Sequence, residues 1–88
     1  MGSKRSRMQI SIEVLTAISH GEQKPTRLMY ACNLSWNLTT ASLDTLVRNG
    51  FVDEIDEDKK RKRYCITVKG RGVLGYCTGL KDLIQVPV

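Results

Sequence analysis

"PTRLMYACNLSWNLTTASLDTLVRNG", residues 25–50, has a proline at its start, a glycine at its end and an Asn-Leu-Ser step near its middle. Pro25 suits the first turn of a helix, because its missing N–H is one that a helix N-terminus leaves unbonded anyway. A short helix is predicted over about residues 25–32, with Leu28, Met29, Ala31 and Cys32 as its inward side chains. Asn33 can take the left-handed conformation that ends it. Ser35 then reads as an N-cap, its side-chain oxygen accepting from an unpaired amide two or three residues on. The helix it opens runs to about Arg48, where Gly50 supplies the stop. Leu43, Leu46 and Val47 form its inward stripe, joined one and two turns earlier by Trp36 and by Thr39 or Thr40. Asn37, Thr40, Asp44, Thr45 and Arg48 are left largely on the outer face.

Two helices joined by a turn of about three residues have the spacing of a helix-turn-helix. Upstream, Met8, Ile12, Leu15 and Ile18 recur at three and four, predicting a first helix over about residues 7–20 that Gly21 ends. Downstream the period changes. "FVDEI" and "YCITV" (residues 51–55 and 64–68) are rich in aromatic and β-branched residues and are separated by charges, which predicts an antiparallel hairpin. Tyr64, Ile66 and Val68 are expected to face the core. Thr67 can cap a last helix over about residues 68–84, where Val73, Leu74, Tyr76, Cys77, Leu80, Leu83 and Ile84 repeat at helical spacing. Its four glycines each lower helicity by roughly 1 kcal/mol relative to alanine, so packing must hold it. The expected division is a basic arm over residues 1–7, one domain over 8–84 and a tail over 85–88. The fold class is α+β and mostly helical.

At 88 residues, 41% hydrophobic and 26% charged, the chain has material for one core. So short a chain buries only about 60 to 65% of its unfolded surface, which makes a partner subunit a natural source of added stability. No apolar run approaches the roughly 20 residues that span a bilayer, and "MGSKRSRM" lacks the apolar stretch of a signal peptide. A cytoplasmic protein is expected. Cys32, Cys65 and Cys77, with the single His20, match neither a zinc spacing nor a disulfide framework, so reduced thiols and no metal are expected. Neither a nucleophile with a base at a suggestive spacing nor a Gly-rich phosphate loop is present, which argues against an enzyme and against a cofactor.

The net charge of +5 is unevenly spread. Asp53, Glu54, Asp56, Glu57 and Asp58 cancel the run Lys59, Lys60, Arg61, Lys62 and Arg63, so the hairpin is neutral overall. Lys4, Arg5 and Arg7 supply +3 of the surplus at the N-terminus, where a basic arm suits a phosphate backbone or a minor groove. A basic balance of this size fits a polyanion partner.

Three helices, a charged hairpin and a further helix resemble a winged helix-turn-helix domain. "PTRLMYACNLSW" resembles the second helix and turn of the small archaeal winged helix-turn-helix DNA-binding proteins, a group that includes chromatin-associated dimers. "LDTLVRNGFV" is similar to the end of their recognition helix, and "RYCITVKGRGVL" to their second wing strand and the capped start of the last helix. The resemblance spans about residues 8–84. It departs from the common pattern at Thr39, where a leucine is usual, and at Ser42, where a larger aromatic is frequent.

This resemblance implies double-stranded DNA as partner, a role in transcription or nucleoid organisation, and homodimerisation through the last helix. Leu74, Cys77, Leu80, Leu83 and Ile84 are then the dimerisation candidates. A helix entering the major groove brings its first residues to base edges, which points to Ser35, Asn37 and Thr40. Lys24 and Arg27 fall where phosphate contacts are usual. The five bases 59–63 would project from the hairpin tip towards phosphate, with Asp56, Glu57 and Asp58 pairing with them when DNA is absent. Trp36 is expected in the core, against the neighbouring helix. A winged-helix scaffold for protein partners, or an architectural chromatin protein without sequence preference, is the alternative reading.

Overall fold

The structure, a computed structural model, describes residues 6–58 and 61–84, with side chains described up to Tyr76. Four helices and one hairpin follow in the order α1 (Arg7–Ser19), α2 (Pro25–Ala31), α3 (Trp36–Arg48), β1 (Val52–Asp58), β2 (Arg61–Ile66) and α4 (Val68–Ile84). The turns after α1, α2 and α3 each carry the residue their backbone favours. Gly21 and Gly50 have φ of 108° and 78°, and Asn33 has φ of 54°, the left-handed region that glycine and asparagine tolerate best. Ser35 Oγ accepts from the Leu38 amide at 3.2 Å and Ser6 Oγ accepts from the Gln9 amide at 3.1 Å, so α3 and α1 open on the same device. The Ser6 cap lies outside the sequence expectation.

The core is built from Ile10, Val14, Leu15 and Ile18 of α1, Leu28 of α2, Cys32 and Leu34 of the turn, Leu43 and Leu46 of α3, and Val52 and Tyr64 of the hairpin. On α1 the buried face therefore starts from Ile10; Met8 is exposed and Ile12 half-buried, which corrects the face starting from Met8. On α2, Leu28 is buried and Met29 half-buried as expected, whereas Ala31 is exposed.

On α3 the inward stripe is Thr39, Ser42, Leu43 and Leu46. Thr39 is fully buried because its hydroxyl donates to the Ser35 carbonyl at 2.9 Å, leaving its methyl for the core. Trp36 is 50% exposed, against the expectation that it packs inside. The reason is local. Trp36 is the first residue of α3, and the apolar seat beside the cap is filled from outside the helix by Leu34, which stands before the cap as Thr39 stands one turn inside it.

β1 and β2 pair antiparallel, with Val52 opposite Ile66, Glu54 opposite Tyr64 and Asp56 opposite Lys62. A register shift between Asp56 and Asp58 brings Asp58 opposite Arg61. The Tyr64 amide donates outward to the Gln23 carbonyl at 3.0 Å, tying the returning strand to the segment before α2. The strand ends at Ile66, so Val68 does not extend the inward alternation. It is the first residue of α4 and is 88% exposed. Thr67 turns the corner: its hydroxyl donates to the Gly50 carbonyl at 2.7 Å and accepts from the Gly70 amide at 3.0 Å. Gly70 lies against the hairpin's root, where a Cβ would stand 2.2 Å from the Phe51 carbonyl oxygen.

Candidate nucleic-acid interface

α3 and the hairpin, which is the wing, flank an open cleft of about 730 Å³. Lys24, Pro25 and Thr26 enter it from the start of α2, Trp36, Thr40, Leu43 and Asp44 from α3, and Glu54, Glu57, Arg61, Lys62, Arg63 and Tyr64 from the wing. Five expected site residues, Lys24, Thr40, Arg61, Lys62 and Arg63, therefore share one surface. Arg27 does not line that cleft; it lines a neighbouring depression with Glu22, Tyr30 and Lys24, and Lys24 borders both. Ser35 and Asn37 are exposed at the start of α3. Lys59 and Lys60 lie outside the described residues.

The bases of the wing are not all carried at its tip. Arg61, Lys62 and Arg63 belong to β2 and stand opposite carboxylates and Ile55 of β1. The Lys62 ammonium lies 3.3 Å from Glu54 and the Arg63 guanidinium 2.6 Å from Glu57. Glu57 thus pairs as expected, but the partner of Lys62 is Glu54, a residue expected to stand apart on the first strand. Both pairs are half-exposed, and pairs in such positions contribute about 0 to 1 kcal/mol, so a phosphate can displace them.

Glu54 carries a second bond. Its other oxygen accepts from the Tyr64 hydroxyl at 3.3 Å. Burial, and then the negative charge of Glu54, push the Tyr64 phenol up to about 12 from 10.0. Tyr64 stays a neutral donor at physiological pH, as the expected core anchor of the wing, and it also orients the carboxylate that holds Lys62. Nothing in the sequence marks this link, because it depends on strand register.

On α3 the Thr40 hydroxyl donates to the Asn37 carbonyl at 3.1 Å and the Thr45 hydroxyl to the Ala41 carbonyl at 3.0 Å. Each then presents its oxygen lone pairs to solvent. Arg48 and Asp44 pair at 3.1 Å one turn apart. Cys32 is buried and Cys65 half-buried, neither in a disulfide; Cys77 is outside the described side chains. Among the described residues no group of His, Cys, Asp or Glu is arranged to hold a metal ion. No helix there is long and apolar enough to cross a membrane.

The family model described as winged helix-turn-helix matches residues 4–85. The chain belongs to the winged helix-turn-helix family. Uncharacterized protein MJ0287 of Methanocaldococcus jannaschii is 37% identical over 68 residues, which are 77% of this chain and 65% of that protein. The chain therefore spans slightly less than two thirds of that relative. Among solved structures, the transcriptional regulator BldR from Sulfolobus solfataricus is 26% identical with a TM-score of 0.72, over 90% of this chain and 61% of that one. A cysteine-to-serine mutant of MarR from E. coli, complexed with operator DNA, is also 26% identical, with a TM-score of 0.75 over 85% of this chain and 57% of that one.

Proposed function

We propose that this winged helix-turn-helix chain binds double-stranded DNA as a transcriptional regulator, with α3 in the major groove and the wing on the phosphate backbone. The observation that carries the proposal is the shared cleft, in which the solvent face of α3 and the basic strand of the wing open on the same side as Lys24. The MarR structure bound to operator DNA supports it by likeness. Ser35, Asn37 and Thr40 are assigned to base edges. With their hydrogens turned inward, Thr40 and Thr45 suit N–H donors such as those of adenine and cytosine. Lys24, Arg27 and the bases 59–63 are assigned to phosphate.

Dimerisation is part of the same proposal. α4 carries Leu74, Cys77, Leu80, Leu83 and Ile84 at helical spacing over 17 residues. Leu74 is half-buried against its own core, and the other four side chains lie outside the described ones. A cytoplasmic, nucleoid-associated location and the absence of a cofactor follow from this reading.

The test is duplex binding across a salt series. Binding should weaken steeply with salt, by a slope of roughly −4 to −5 per subunit if all five bases 59–63 meet phosphate. Charge-neutral replacement of those bases should flatten it. Absence of duplex binding at about 50 mM salt, with a protein partner retained, would instead identify an interaction module. Salt-dependent binding that is indifferent to sequence would identify an architectural protein.

A further inference from the structure

The chain has a single tryptophan, and it stands half-exposed at the first position of α3, inside the cleft between that helix and the wing. Leaving half of an indole in water forgoes apolar burial. Around the indole the cleft is lined by Lys24, Arg61, Lys62 and Arg63, so a polyanion attracted there arrives beside an apolar, flat surface. Of the carboxylates in the same cleft, Glu54 and Glu57 are engaged by Lys62 and Arg63, and Asp44 by Arg48. A phosphate that displaces Glu54 or Glu57 leaves the cation in place, in the cleft that Trp36 also lines.

Resting on the DNA-binding reading above, we propose that the cleft seats one sugar–phosphate strand of a duplex and that Trp36 is the apolar contact packing on its deoxyribose face. The bases of the cleft contribute counterion release, which depends on salt. The indole contributes desolvation, which does not. That difference separates Trp36 from every charged residue of the site.

The experiment titrates the full chain with a mixed-sequence duplex at about 50 and 200 mM salt, following tryptophan emission and its quenching by acrylamide. Saturation should shift the emission and protect the ring from acrylamide. Trp36→Ala should weaken binding about tenfold at both salt concentrations with an unchanged salt slope, and Trp36→Phe should restore most of the loss. Circular dichroism checks that each variant is folded, and the emission measurement on the unaltered chain stands even where a variant is not. Duplex binding with unchanged emission and unchanged acrylamide access overturns the role of Trp36 and leaves the DNA reading intact. Equal affinity of a folded Trp36→Ala variant does the same. No duplex binding at all overturns both.

Discussion

Glu54 answers to two groups, the Tyr64 hydroxyl and the Lys62 ammonium, each at 3.3 Å. The phenol's pKa in the folded chain is raised to about 12 above its ordinary 10.0, so the sign of the linkage is fixed. The contribution to stability is complete below pH 10 and is lost as pH rises from 10 through 12. A spectrophotometric titration should find one tyrosine ionising near pH 12, and that step should vanish in Tyr64→Phe. The carboxylates have a separate readout. Glu54→Gln and Glu57→Gln keep shape and an acceptor while removing the charge that holds Lys62 and Arg63. Together they should tighten binding to any duplex by about two- to tenfold at low salt, less at high salt. Fluorescence anisotropy with unrelated duplexes measures this, and unchanged affinity would mean that the wing does not face phosphate.

At the scale of elements, two glycines of α4 two residues apart, and so on nearly opposite faces of the helix, behave oppositely. Gly70→Ala drives a methyl into the Phe51 carbonyl and should destabilise by about 2 to 3 kcal/mol in denaturant unfolding. Gly72 has no described atom within 4 Å of a Cβ, so Gly72→Ala should stabilise by about 0.5 to 1 kcal/mol. The same contrast explains what the sequence made legible. Ser35, Asn33, Gly21, Gly50 and Thr67 act within four residues of their own position or at a chain reversal, and all five were readable from residue type alone. Trp36, Met8 and Val68 were misplaced because helical or strand periodicity assigns a face to every residue of an element. End residues take the face that neighbours outside the element leave open. The pairing of Lys62 with Glu54 was unreadable for another reason: the segment's composition is compatible with several registers, and only the pairing of Val52 with Ile66 selects one.

For the whole molecule, the helix order and the hairpin were legible, and they were enough to place α3, the wing and the start of α2 around one cleft. Which bases enter that cleft was not, since Lys24 borders both the cleft and the neighbouring depression, whereas Arg27, three residues on, lines the depression and not the cleft. Dimerisation belongs to this scale as well. If α4 joins two copies, selection of bound duplexes from a random pool should enrich a palindrome whose half-sites lie about one helical turn apart, and sedimentation should give twice the chain mass. An enriched site without symmetry, with a monomer in solution, would remove the dimer.

The bond from the Tyr64 amide to the Gln23 carbonyl has a consequence in time rather than in space. Wing amides that point away from β1 are open to solvent exchange, but this one is held by the segment before α2. Opening it requires the wing root to part from the start of α2. In a native-state hydrogen–deuterium experiment, the Tyr64 amide should exchange on the timescale of global unfolding, isolated among fast neighbours towards the tip. The wing then behaves as a lever with a fixed fulcrum at Tyr64, its root as slow to open as the core.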